Sequence, residues 1–394
     1  MDIGPIRTNI PATKNVIYLN TGFSGPSPQG VKDAIDAMLD LENELGPTSK
    51  PVLATHREQK AATRAAFARM IGATPEEVVL TDNTTRGINI TLNGLPWRPG
   101  DEIVTDDLEH GSGLVPSYQM RALHGVSVKI VPLGAMDSEG AIGEKLESAV
   151  TPRTRLLVLS HIMYSSGLRI PLAEIHRMAH RRGARVLVDG AQTLGHIDLD
   201  MKALDADYYA VPAHKWLLGP EGAGALYVRQ ELLSDLIPTA VSGHAALNYD
   251  QAGQFEPATE SPEKFELTTS SAALLAGTAA AIEFIERAGG MREVEARNRT
   301  LAEYARHGLR EVAGVRVFSP SAGPTSCGLV LFVPGDWEPR AFTDELWERE
   351  KIVCRSVAYP LAGVRLSVDF FNTEEELDKV IETVRFLVKS GAGK

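Results

Sequence analysis

Between residues 78 and 229 the sequence repeats one pattern: a short aliphatic or β-branched run, a few polar residues, then a stretch with helical spacing. The runs are "EVVLT", "EIVT", "VSVKIVPL", "RLLVLSH", "ARVLVDG", "DYYAV" and "GALYV". Apolar residues at consecutive positions bury both faces of a strand, which is the signature of a mostly parallel sheet covered by helices. In the intervening "PLAEIHRMAHRRG", Leu172, Ile175 and Met178 fall on one helical face. Earlier helices are expected near 31–45 and 56–71. Beyond a Pro- and Gly-containing segment near 238–262 the pattern changes. Helices are expected at 270–287 and about 293–313, then strands at "CGLVLFV" and "VRLSVDFF". Last comes a closing helix, for which Thr373 and Glu376 have capping-box spacing. The expected fold class is α/β: a large domain (18–255) with a mostly parallel seven-stranded sheet, and a smaller α+β domain (256–394, joined by 1–17).

The chain has 394 residues, 43% of them hydrophobic, which is enough for two cores. A net charge of −11 argues against nucleic acid or an anionic membrane as the main partner. No apolar run reaches the length of a membrane span, and the N-terminus lacks the pattern of a secretory signal. Cys327 and Cys354 make no disulfide framework, so a reducing cytoplasm is the expected location.

In an open parallel sheet, ligands bind beyond the carboxyl ends of the strands. There the sequence has "DNTTRG", "DDLEHG", "HIMYSSG", "DGAQ" and "PAHKW". One polar strand end means little; five together point to one site. Lys215 lies among apolar residues, where an ammonium costs free energy unless it is paired or its pKa falls. A partly deprotonated lysine can form a Schiff base with a carbonyl. Pyridoxal 5'-phosphate is such a carbonyl. It needs an acid at its pyridine nitrogen and donors for its phosphate, preferably at a helix N-terminus. Asp189 can serve as that acid or be a strand-end turn residue. Thr84 and Thr85 can hold phosphate or cap a helix. His110 can lie on the pyridine ring or be a core histidine. Gln192 can reach the phenolic oxygen, and His214 the phosphate.

The series "TT…EH…DGAQ…HKW" resembles the class V aminotransferase family, pyridoxal-phosphate enzymes of aspartate-aminotransferase-like fold (fold type I) that include the cysteine desulfurases. The likeness runs from "YLNTG" (18–22) to "NTEEELD" (372–378). It implies that Lys215 bonds the cofactor and later moves the Cα proton, that Asp189 pairs with the ring nitrogen, and that His110 stacks on the ring. Gln192 would meet the phenolate, while Thr84 or Thr85 and His214 hold the phosphate. In "KFELTTSS", Thr269 would reach the phosphate of a neighbouring subunit, which implies a homodimer with shared sites. Arg365 would clamp the substrate α-carboxylate. Arg355 would take a second carboxylate or pair with a surface acid. Gly22 and Tyr164 would line the substrate side.

Cystine C–S lyases of this family are the nearest likeness, through "ENELGPTS", "TDNTT", "LEHGSG", "LSHIMYSSG" and "VLVDGAQ". Where desulfurases carry a mobile-loop cysteine, this chain has "SVAYPLAG" without a thiol. The expected reaction is therefore β-elimination to pyruvate, ammonia and a thiol or persulfide. Epimerisation of the isopenicillin N epimerase kind would need a second acid/base, for which Tyr164, Tyr249 and Tyr359 are the candidates. Transamination, desulfuration and a catalytically silent scaffold are the remaining alternatives. The chain departs from the family at Pro212 and Ala213, where a phosphate-binding hydroxyl is usual, and at Leu267 and Thr268 ahead of Thr269.

Overall fold

The computed structural model describes residues 1–391. Seven strands form the larger sheet: β1 (Val78–Thr81), β2 (Glu102–Asp106), β3 (Ser127–Val131), β4 (Thr154–Ser160), β5 (Arg185–Asp189), β6 (Tyr208–Pro212) and β7 (Gly224–Val228). Their order is β1-β7-β6-β5-β4-β2-β3. Only β7 runs against its neighbours, so the other six carboxyl ends open on one edge. The expected mostly parallel sheet is present. Leu156, Leu157, Val158 and Leu159 of β4 are all fully buried, alternating between cores on the two faces. Each such side chain contributes roughly 1.5–3 kcal/mol relative to exposure.

The helix Thr84–Gly94 packs on β6 and β7 at Gly87, where a Cβ would come within 2.9 Å of Ala210 Cβ. Glycine there lets the helix lie close to the sheet, and its N-terminus falls at the carboxyl edge.

A second, antiparallel sheet has the order β8-β9-β11-β10, from β8 (Val315–Val317), β9 (Leu329–Pro334), β10 (Arg355–Val357) and β11 (Gly363–Ser367). With the helices Met291–Arg310, Pro339–Glu350 and Glu374–Ser390 it encloses its own core, including Leu301, Phe332, Phe342, Leu366 and Val384. The capping box at Thr373 and Glu376 is present. The helix expected at 56–71 begins earlier, at Lys50, because Pro51 is tolerated in a first turn. The short β8 was not anticipated; three residues carry no readable alternation.

The strand-like "KIVCRS" divides at Cys354. Ile352–Val353 pairs in parallel with Ile17–Tyr18, and Arg355–Val357 pairs with β11. That division sets Arg355 directly opposite Arg365. The N-terminal strand then continues past Leu19, which hydrogen-bonds Val353 and Ser367, to Gly25, whose N–H donates to His214 O at 2.7 Å.

Candidate active site

At the carboxyl edge a cavity of about 240 Å³ is lined by Gly22, Phe23, Asn83, Thr84, Thr85, His110, Ser112, Tyr164, Asp189, Gln192, His214, Lys215, Arg355 and Arg365, together with Ala191. Each of the five polar strand ends supplies part of this lining. The structure thus brings together all the expected site residues except Thr269. In the protomer Thr269 lines a separate cavity with Lys60, Arg86 and Ser270.

Lys215 sits in the turn between β6 and β7. Burial lowers its amine from 10.5 to about 8; Arg365 and Arg355 push the same way, while Asp189 opposes them. Its backbone is pinned from behind, since a Cβ on Gly25 would lie 2.3 Å from Lys215 O. Glycine is required there by this close approach.

Asp189 ends β5 almost completely buried, and its Oδ1 accepts from Ala191 N at 2.8 Å. Gln192 is held at both ends of its amide: Nε2 donates to Gly22 O (2.9 Å) and Oε1 accepts from Trp216 Nε1 (2.8 Å). The expected contact with a phenolic oxygen therefore rests on the second Nε2 hydrogen, since the carbonyl end is committed to Trp216. Trp216 stacks on His196 with centroids 3.6 Å apart. His196 Nε2 accepts from Gly328 N, so its Nδ1 donates to Gln192 O. This clamp around the lysine turn was not read from the sequence, although Trp216 stands next to Lys215.

His110 caps the helix Gly111–His124, its Nδ1 accepting from Ser112 N at 3.1 Å. Burial lowers its pKa, and because Nδ1 accepts, the proton of the neutral ring sits on Nε2. The ring meets Tyr164 edge-on, with centroids 4.9 Å apart. Next to His110 in the chain is Glu109, which the sequence alone did not single out. Its buried carboxyl accepts from Ser160 Oγ (2.5 Å) and His110 N (2.6 Å), and burial beside Asp106 and Asp189 pushes its pKa well up. His161, from the same strand ends, does not line the cavity. It is buried against the Tyr209 hydroxyl at 2.7 Å.

At the opposite end, Arg365 is buried and burial lowers its pKa to about 9. Nη1 donates to Tyr164 O at 2.8 Å, while Nε and Nη2 have no partner among the described residues. The Tyr164 hydroxyl donates to the Tyr359 carbonyl.

Fit to pyridoxal phosphate can be judged from these atoms. Thr84 Oγ1 and His214 Nδ1 are buried without partners, and the free N–H groups of a helix N-terminus stand beside them. A buried acid, an imidazole lining the same cavity and an amine of lowered pKa complete the set. Thr85 Oγ1 donates to Ser112 Oγ at 3.0 Å and so supports this wall. The residues fit the group.

A lysine on the carboxyl edge of this sheet, sharing one cavity with a buried aspartate and with unpartnered donors at a helix N-terminus, defines a pyridoxal-phosphate-dependent enzyme of fold type I. The chain belongs to the class V aminotransferase family, whose model matches residues 17–380. A probable cysteine desulfurase of Methanothermobacter thermautotrophicus is 30% identical, the match covering 98% of each chain. The isopenicillin N epimerase of Streptomyces clavuligerus is also 30% identical, over 94% of each chain. Among solved structures, a cystine C–S lyase in complex with its product cysteine persulfide is 31% identical. It superposes with a TM-score of 0.89 over 95% of this chain and 99% of that one.

Proposed function

We propose that the chain is a carbon–sulfur lyase that β-eliminates cystine-type amino acids. One observation carries this reading: the protein has no thiol placed to take sulfur. Cys327 and Cys354 are its only cysteines, and neither lines the Lys215 cavity. Burial pushes their thiols up to about 11 and about 12. Desulfuration to alanine needs an accessible protein thiolate, which neither residue supplies. Elimination needs none, because the sulfur leaves with the substrate fragment.

Pyridoxal phosphate, when bound, supplies the electron sink that makes the substrate Cα–H acidic. Lys215 would take that proton at Nζ, and Asp189 would balance the ring nitrogen. Arg365 offers Nε and Nη2 to the α-carboxylate as a fork. The Cβ–S bond then breaks, and its electron pair leaves with sulfur as a persulfide or thiol. The remaining three-carbon enamine takes up water to give pyruvate and ammonia. The similarity to a cystine C–S lyase supports the same choice. The Tyr164 hydroxyl already donates to Tyr359 O, which weighs against Tyr164 as the second acid of an epimerase.

The proposed assembly is a cytoplasmic homodimer in which Thr269 serves the neighbouring subunit's cofactor. The exposed Leu247, Tyr249 and Phe255 of the hairpin 246–257 are apolar surface of the kind a second copy would cover. Light scattering on the holoenzyme tests the assembly. No helix among the described residues is long and apolar enough to cross a membrane.

Proton NMR with L-cystine, and separately L-cysteine, in D₂O tests the chemistry. Pyruvate is the expected product. Alanine would establish desulfuration, and Cα exchange without elimination would move the assignment to epimerisation or transamination.

A further inference from the structure

Phe23 lies at the mouth of the Lys215 cavity with half of its surface exposed. Its ring carries the Arg355 guanidinium, whose central carbon stands 4.1 Å from the ring centroid. Two features show that this stacking is built. The backbone around Phe23 is fixed in a turn: its N–H donates to Asn20 O (2.9 Å), Tyr18 Oη donates to Ser24 O (2.6 Å), and Gly25 N donates to His214 O (2.7 Å). Arg355, for its part, meets no carboxylate among the described residues, and burial lowers its pKa. Directly across the sheet stands Arg365, also without a carboxylate. Like charges opposed on neighbouring strands destabilise a sheet. Two of them sharing one cavity wall are stabilised by anions that arrive with the ligand.

We infer that Phe23 is a specificity-determining residue: its ring holds Arg355 over the cavity mouth so that the site reads a second, distal carboxylate. The preferred substrates are then amino acids with carboxylates at both ends, disulfide-linked dimers above all. This inference rests on the lyase reading for the identity of the leaving group, but not for the recognition of the second carboxylate.

The test compares wild-type holoenzyme with Phe23→Ala and Phe23→Trp. Turnover is measured on L-cystine, which has two carboxylates, and on β-chloro-L-alanine, which has one. Binding of the non-eliminating pair L-2-aminopimelate and L-norleucine is measured by calorimetry. In Phe23→Ala the cystine-to-chloroalanine ratio of kcat/KM falls roughly five- to twentyfold, the span expected when a partly desolvated cation–π contact is lost. The loss lies in KM. Phe23→Trp restores the ratio, and aminopimelate affinity falls in parallel while norleucine affinity moves less than about twofold. Equal effects on both members of each pair, or none on either, overturn the inference. If wild-type enzyme leaves cystine intact while the aminopimelate discrimination still depends on Phe23, the lyase reading fails and the carboxylate reader stands. If cystine is eliminated with a ratio insensitive to Phe23, the reverse holds.

Discussion

The two ends of the Lys215 cavity are built on opposite principles. At the end formed by the larger sheet, most polar side chains are bonded in place by the protein. Gln192 is tied to Gly22 and Trp216, Asp189 to Ala191 N, and His110 to Ser112 N. At the end formed by the smaller sheet, two guanidiniums face each other across paired strands, and Arg365 keeps two nitrogens unused. The first arrangement suits a resident group whose geometry never changes. The second carries uncompensated charge until a carboxylate arrives, so its cost is relieved only when substrate binds. On the proposed reading, retention of cofactor and selection of substrate fall to different sheets.

The sharpest way to break that division is Lys215→Ala, which removes the proposed base at the junction. Pyruvate formation should fall by at least about 10³-fold, and an enzyme that retained its rate would remove Lys215 from the chemistry. Arg365→Ala tests the substrate end alone: kcat/KM should drop by a factor equivalent to about 2–5 kcal/mol, because a buried charge-assisted pair is lost, with cofactor affinity preserved. The complementary variant Thr84→Val should weaken cofactor binding by roughly fivefold, the worth of a hydrogen bond near 1 kcal/mol. Titration of apoprotein with pyridoxal phosphate reads it, and a change confined to substrate KM would erase the distinction between the ends.

A pH experiment joins the two ends. Since the Lys215 amine is lowered to about 8, it is protonated and unreactive at lower pH. Imine formation by the apoprotein should therefore rise with pH and level off above about 8. Arg355 contributes to that lowering, so Arg355→Ala should move the midpoint upward. A midpoint independent of both arginines would uncouple them from the lysine. The smallest effect belongs to Cys354→Ala, for which turnover should stay within about twofold, as expected for a thiol outside the chemistry. A large loss would reopen the desulfuration reading.

The end built on the larger sheet was legible in the sequence for a physical reason. Each strand is apolar at successive positions, so the polar residues that follow it are forced to the edge. A reader who finds the strands finds Thr84, His110, Asp189 and Lys215. The smaller-sheet end was less legible. Arg355 and Arg365 are recognisable as arginines near late strands, but their direct opposition depends on the break at Cys354 and on a register that no local pattern encodes. Phe23, Glu109 and the His196–Trp216 clamp went unread because their roles arise from contacts with residues distant in the chain. Glu109 carried one cue, its place beside His110 at a strand end.

The tie between Gly25 and the lysine turn also bears on how the molecule is made. Residues 17–25 leave the ribosome long before Val353, Ser367 and His214, which they contact. Such distant pairings form slowly because a long loop must close before any contact rewards it. A nascent chain that has emerged only as far as Lys215 holds the amine and the aspartate but lacks both arginines and the strand Ile352–Val353 that anchors its own beginning. The pocket can therefore close only once the strand that carries Arg365 is present, and fragments ending between residues 215 and 355 carry the lysine without the arginine wall that shares its cavity.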